Sequence, residues 1–212
     1  MLSYIPDGIG TILEIGCGEG DFGSLIKEKY KVEYWGVDIN KKALDIASNN
    51  LDKTILANFN IENKSLPYSY FDCIVFNDSL EHLYEPWDVL HYCNKLLRPN
   101  GYIVCSIPNV RYIDNLCNMV LFKEWKYEDE GILDRTHYRF FTENSIKKLF
   151  NSSGYKIELI EGINEKKKLK RIEKNLFRLL KINGLLSFRK KYIIHNDIKY
   201  MQFAVVAKKK CQ

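Results

Sequence analysis

Apolar positions fall along this chain in two alternating patterns. Short, nearly continuous runs at Ile12 to Ile15, Val32 to Ile39, Thr54 to Ala57, Phe71 to Phe76 and Tyr102 to Ile107 read as strands. Phe71 to Phe76 is apolar at almost every position, as expected of a strand covered on both faces. Between these runs lie segments that read as helices, Asp21 to Tyr30 and Lys41 to Leu51. A third helix opens at Pro86, which suits a first turn, and carries Val89, Leu90, Cys93, Leu96 and Leu97 on one face. Arg98-Pro99-Asn100-Gly101 ends it with turn chemistry. A fourth helix starts at Thr142-Glu143-Asn144, buries Ile146, Leu149 and Phe150, and stops at Gly154. Tyr155 to Ile160 and Tyr200 to Lys208 read as the sixth and seventh strands. The strand–helix alternation predicts an α/β fold with a parallel, doubly wound sheet.

Length and composition narrow this picture a little. At 212 residues the chain suits one domain, 1–212, with a substantial core. No apolar run reaches membrane-spanning length, and Met1 to Gly10 lacks the basic flank and apolar core of a secretory signal. The six cysteines show no paired spacing and no accompanying histidine cluster; Cys73 and Cys105 sit in strand-like runs as small hydrophobes. Reduced thiols, a cytoplasmic location and no metal are the expectation.

The chemistry starts at Leu13-Glu14-Ile15-Gly16-Cys17-Gly18-Glu19-Gly20, where a strand runs into three glycines and then a helix. Such a turn lets a ligand approach the backbone closely. Gly18, Gly20 and Gly23 spell the dinucleotide fingerprint, a weak signal alone. Gly16 follows the strand directly, and the Glu14 carboxylate would repel a pyrophosphate and favour a cation. Asp38 ends the second strand about twenty residues past the loop, where an acid accepts from both ribose hydroxyls; its other reading is an N-cap for the helix from Lys41.

The spelling Glu-Ile-Gly-Cys-Gly-Glu-Gly resembles the first motif of class I S-adenosylmethionine-dependent methyltransferases. The resemblance implies a Rossmann-like doubly wound, mostly parallel seven-stranded sheet with the last strand antiparallel. It also implies S-adenosylmethionine as cofactor, with S-adenosylhomocysteine as its product. The implied cofactor contacts are Glu14, Gly16, Cys17, Gly18, Gly20, Asp38, Ile39, Asn58, Phe59, Asn77 and Asp78. In that pattern an Asp often follows the third strand and accepts from the adenine amino group; Asn58 stands there, with Phe59 placed to cover the adenine face. The loop after the fourth strand, Asn77-Asp78-Ser79-Leu80-Glu81-His82-Leu83, lacks the Asn/Asp-Pro-Pro-aromatic signature of many nucleic-acid and amine N-methyltransferases. Leu80-Glu81-His82 is similar to the spelling in small-molecule and glycan enzymes, and His82 reads equally as base, cofactor contact or structural histidine.

The regular pattern stops over 108–141, the expected acceptor-side lid. Ser106-Ile107-Pro108-Asn109-Val110-Arg111, with Gly131-Ile132-Leu133-Asp134-Arg135-Thr136-His137-Tyr138-Arg139-Phe140-Phe141-Thr142, resembles a bacterial methyltransferase family of capsule, O-antigen and related surface-glycan pathways. This implies O-methylation of a sugar or phosphate-type substituent on a surface-polysaccharide precursor. Removing a hydroxyl proton needs a base, and His137 is the first candidate because imidazole titrates near neutral pH. Asp134 lies close enough in sequence to orient it, and His82 is the second candidate. Arg111, Arg135 and Arg139, with Tyr138, suit a nucleotide-linked or phosphate-bearing acceptor.

The net charge of +5 is concentrated in Glu165 to Lys191. Within the insert 164–195, Leu169, Ile172, Leu176, Leu179 and Leu180 share a helical face. An insert helix over the sheet edge or a self-association surface, giving a homodimer, is favoured over membrane contact. Methyltransferases of this class usually carry a helical segment before the first strand, and only about ten residues precede Thr11, too few for a full helix. That implies a more open cofactor site, a pocket completed by a partner subunit or a shortened start. Two rivals stay open: a nicotinamide-dependent oxidoreductase, and a nucleic-acid methyltransferase using the basic segment, against which stands the lack of aromatic–basic interleaving.

Overall fold

The computed structural model describes residues 1–59, 66–166 and 196–210. Seven strands form one sheet: β1 (Thr11–Ile15), β2 (Glu33–Asp38), β3 (Lys53–Leu56), β4 (Phe71–Asn77), β5 (Leu97–Pro108), β6 (Tyr155–Glu165) and β7 (Tyr200–Lys209). Their order is β3-β2-β1-β4-β5-β7-β6. The first five strands pair in parallel, and β7 runs antiparallel to both β5 and β6.

Alternate residues of each central strand feed opposite cores. Leu13, Ile15, Ile74 and Phe76 meet helices α3 (Pro86–Leu96) and α5 (Glu143–Ser152) through Leu90, Cys93, Ile146 and Phe150. Ile12, Tyr34, Cys73 and Val75 face the other way, toward Ile26 of α1 (Asp21–Lys29) and Leu44 and Ala47 of α2 (Lys41–Ala47). Burial on both faces is why these strands read as continuous apolar runs rather than as alternation.

Local chemistry sets most of the element ends. Thr142 caps α5 by accepting from the Ser145 N–H, while the Ser145 hydroxyl accepts from the Thr142 N–H. At α2 the cap is Asn40, whose side chain accepts from Lys42 and Ala43; Asp38 is not the cap. This helix stops at Ala47, short of the Leu51 expected, because Ser48 to Asn50 turn back and Leu51 packs into the α1–α2 core. Arg98 to Gly101 forms an irregularity inside β5 rather than a separate turn: pairing with β4 shifts from Phe71↔Leu97 to Cys73↔Tyr102.

The segment 108–141 carries one short helix, α4 (Ile113–Cys117), a wider turn at Asn118–Phe122, and two isolated bridges, Asn109↔Phe141 and Glu128↔Asp134. Tyr112, Ile113, Cys117 and Ile132 form a small core of their own with Ile198. The apolar face from Leu169 to Leu180, and nearly all of the basic insert, lie outside the described residues. Among the described residues no helix is long and apolar enough to cross a membrane. Cys17, Cys73, Cys93, Cys105 and Cys117 are all buried.

Candidate active site

The strand order reverses between β1 and β4, and a crevice opens at their carboxyl ends. Gly16 follows β1 at once with φ 78°, and a Cβ there would lie 2.8 Å from the Ser79 Cβ. The loop after β1 is thus pressed against the loop after β4, an approach only glycine permits. Ser79 ties the same two loops by donating its hydroxyl to the Ile15 carbonyl at 2.7 Å.

Asp38, at the end of β2, spans the next gap. One carboxylate oxygen accepts from the Gly18 N–H and the other from the Asn40 N–H, each at 2.8 Å. These bonds hold it over the crevice with lone pairs still available. A cavity of about 530 Å³ fills the crevice, walled by Gly16, Asp38, Ile39, Asn58, Phe59, Asp78, Ser79, His82, Tyr84 and Tyr138 among others. Ile39 stands 70% exposed at the lip. Phe59 is buried, its ring 5.7 Å from that of Tyr92. Asp78 accepts from the Gln202 side chain at 2.7 Å. Gly18 and Gly20 shape the loop without lining the cavity; Gly20, at φ 83°, caps α1.

Three expected contacts lie elsewhere. Glu14 is buried on the far face of β1, where it accepts from the Tyr34 hydroxyl and the Asn77 amide, each at 2.9 Å. Burial pushes its carboxyl up to about 7, against the pull of those two hydrogen bonds. Glu14 and Asn77 therefore brace β1 against β4 instead of facing the cavity. Cys17 turns its sulfur toward Gly36, and burial pushes its thiol up to about 12. None of these three side chains lines the cavity.

The acceptor end is assembled by the segment after Gly131. Tyr138 and Arg139 both donate their backbone N–H to the Glu81 carbonyl, at 3.0 and 3.1 Å. This docks the segment expected as a lid on the turn Leu80–His82. His82 Nδ1 sits 3.2 Å from both the carbonyl and the hydroxyl of Thr136. A carbonyl only accepts, so Nδ1 carries the proton and Nε2 is left as an acceptor. His137 is buried, with Nδ1 3.1 Å from the Ile132 carbonyl and its ring 4.6 Å from that of His82. Burial holds its pKa below the usual histidine value, partly offset by the Ile132 carbonyl. His82 lines the cavity and His137 stands behind it. That reverses the order of the two as candidate bases.

Asp134 does not orient His137. Its carboxylate accepts from the N–H and hydroxyl of Thr136, at 2.7 and 2.6 Å, and these bonds hold it below the usual carboxylate range. The three arginines do not converge either. Arg111 pairs with Asp197, Arg135 with Asp129 and Arg139 with Glu85, each at 2.9 Å. Each arginine thus has a carboxylate partner within the chain, and none of the three lines the cavity. Tyr138 instead stacks on Tyr84, ring centroids 4.0 Å apart, at the cavity mouth. The sequence reading missed Tyr84, Ser79 and the role of Glu81 in holding the lid.

A model described as a methyltransferase domain matches residues 3–160. The chain belongs to this methyltransferase family. It is 26% identical over 192 residues to a ubiquinone biosynthesis O-methyltransferase of Hydrogenovibrio crunogenus, covering 85% of this chain and 75% of that protein. A protein of the same name from Vibrio cholerae is 26% identical over 161 residues, and the match spans 72% of this chain and 64% of that one. In fold it is similar to an S-adenosylmethionine-dependent methyltransferase of Archaeoglobus fulgidus, with TM-score 0.68, 24% identity and coverage of 98% and 89%. It is also similar to the 1,6-didemethyltoxoflavin-N1-methyltransferase of Burkholderia thailandensis, solved with S-adenosylhomocysteine, with TM-score 0.59, 14% identity and coverage of 95% and 71%.

This methyltransferase is an enzyme that uses S-adenosylmethionine, and the nicotinamide reading falls. The crevice fits that cofactor: a carboxylate at the end of β2, an apolar lip at Ile39 and a floor at Phe59 suit a ribose and an adenine.

Proposed function

We propose that this methyltransferase transfers a methyl group to a hydroxyl oxygen of a small-molecule acceptor, with His82 taking the proton. One observation carries the reading: His82 lines the acceptor end of the cavity with Nδ1 held by Thr136, which leaves Nε2 as a proton acceptor. Bound S-adenosylmethionine supplies an electrophilic methyl on a positively charged sulfur. Asp38 accepts from its ribose, Ile39 and Phe59 enclose its adenine, and Asn58 faces the adenine edge. Asp78, on the loop beyond β4, suits the amino acid end. The Tyr84–Tyr138 stack offers a flat apolar face on which an acceptor ring lies, so that its oxygen meets the methyl in line. Positioning of this kind is worth ~7–11 kcal/mol, and a base adds roughly 10²–10⁴ in rate.

The acceptor we favour is a sugar hydroxyl of a surface-glycan precursor, supported by the spelling from Gly131 to Thr142. With Arg111, Arg135 and Arg139 each paired to a carboxylate and none lining the cavity, we place a sugar hydroxyl ahead of a phosphate-type substituent. A phenolic hydroxyl is the second reading, favoured by the names of the ubiquinone-biosynthesis relatives. Labelled methyl transfer to a panel of nucleotide sugars and catechols distinguishes them. Transfer to sugars with catechols inert upholds the first, and the reverse upholds the second. Transfer to amines alone, or no calorimetric binding of S-adenosylhomocysteine, defeats both.

A further inference from the structure

Behind the acceptor end lies a buried carboxylate that no hydrogen bond from the described residues holds. Glu81 is 1% exposed, and neither of its oxygens has a hydrogen-bond partner among the described residues. An ionised carboxylate in such a place is costly unless it is protonated or meets a cation. What faces it is a pair of histidines. His137 Nε2 stands 3.9 Å from the nearer Glu81 oxygen, too far for a hydrogen bond. The His82 ring lies nearly perpendicular to that of His137, at 78°.

We propose that Glu81, His82 and His137 together bind one divalent first-row transition-metal ion at the inner wall of the acceptor cavity. Both histidines have Nδ1 tied to a backbone carbonyl, Thr136 for one and Ile132 for the other. This is how metal-binding imidazoles are usually oriented, with the opposite nitrogen turned to the ion. One ligand atom from each of the three residues lies within 4.8 Å of the others. Tetrahedral ligands at ~2.0–2.2 Å from an ion lie ~3.3–3.6 Å apart, so side-chain shifts of about 1–1.5 Å close the set. Two imidazoles and one carboxylate select zinc, cobalt, manganese or iron(II) over magnesium or calcium, which prefer all-oxygen sites. Three protein ligands leave coordination positions open. His82 also walls the cavity, so the ion would stand beside the acceptor.

The role of the ion rests on the O-methyl transfer proposed above; its binding does not. With the ion bound, His82 Nε2 is occupied and the ion replaces His82 as the means of deprotonation: the acceptor hydroxyl would enter an open position and lose its proton to solvent there. The oxygen forms its bond to the methyl carbon as the carbon–sulfur bond breaks, and the electron pair stays on sulfur.

The test uses the full chain, stripped with chelator and titrated with cobalt(II) by absorption and with zinc by calorimetry. One ion per chain is expected, with visible cobalt bands and no intense near-ultraviolet thiolate band. His82→Ala, Glu81→Gln and His137→Ala should each weaken binding at least ~10-fold. His82 is partly exposed, so its variant keeps the fold, which unchanged S-adenosylhomocysteine affinity verifies. No cobalt bands, a thiolate band marking the cysteines, or undiminished binding in His82→Ala and Glu81→Gln overturns the site. Full transfer rates in chelated enzyme overturn the role and leave His82 as the base. Cobalt binding without methyl transfer to any hydroxyl upholds the site and defeats the function.

Discussion

On the β2 side of the crevice, the groups proposed to meet the cofactor come from neighbouring loops and are held by backbone. Asp38 is fixed by the N–H groups of Gly18 and Asn40, and Gly16 by the Val37 carbonyl. At the acceptor end, His82 is held by Thr136, 54 residues away, and the lid rests on two N–H groups donated to the Glu81 carbonyl. The first region is a product of strand–turn–helix geometry and tolerates little change. The second depends on a few long-range contacts and on an irregular segment with a small core of its own. A fold that keeps one cofactor while its acceptor changes needs this division, because loops vary at less cost than a sheet.

The sharpest way to break the comparison is His82→Ala. We expect turnover to fall by roughly 10²–10⁴, with S-adenosylhomocysteine affinity changed less than about threefold. Stopped single-turnover assays beside calorimetry measure both, and equal losses would merge the two regions into one. Next comes Glu14, whose carboxyl is raised from 4.5 to about 7 by burial. The folded chain therefore binds a proton that the unfolded chain has released. Its stabilising effect is fully present below about pH 4.5 and is lost as pH rises through about 7. Glu14→Gln should remove a fall on the order of 3 kcal/mol between denaturation curves at pH 5 and pH 8. An unchanged pH slope would mean that other groups control it.

Asp38→Ala comes third: cofactor affinity should drop roughly 10–100-fold by calorimetry, with turnover at saturating cofactor little changed. A large loss of turnover instead would make this side part of the chemistry. The smallest effect is expected from Thr142→Ala, which removes a helix cap just beyond the lid. About 1 kcal/mol of stability, seen as a lower Tm, should go without loss of activity. Lost activity at full Tm would show that the start of α5 sets the acceptor end.

Readings from residues close in sequence survived best where the backbone itself enforces them. The glycine loop, the end of β2 at Asp38 and the helix start at Thr142 are such places. Proximity misled at Asp134, three residues before His137. Its carboxylate bonds Thr136, a pairing that short polar side chains in turns commonly make and that Asp-Arg-Thr already displays. Glu14 was expected to face the loop, yet its side of β1 belongs to Tyr34 and Asn77. A one-residue alternation settles that face, and no local pattern marks which face the cofactor takes. Asp197, Asp129 and Glu85 lie within reach of the arginines expected as a clamp, and two of these are distant in sequence.

The order of apolar runs and turns was enough, unaided, to determine the parallel α/β core, the glycine crossing after β1 and the acid after β2, since each follows from backbone sterics and burial over a few residues. Only the tertiary structure decided that His82 rather than His137 lines the cavity, that Glu81 has no hydrogen-bond partner among the described residues, and that the arginines are already paired. Those outcomes turn on which side chains from separate loops occupy the same few ångströms, and that is set by how the lid docks, not by any spacing along the chain.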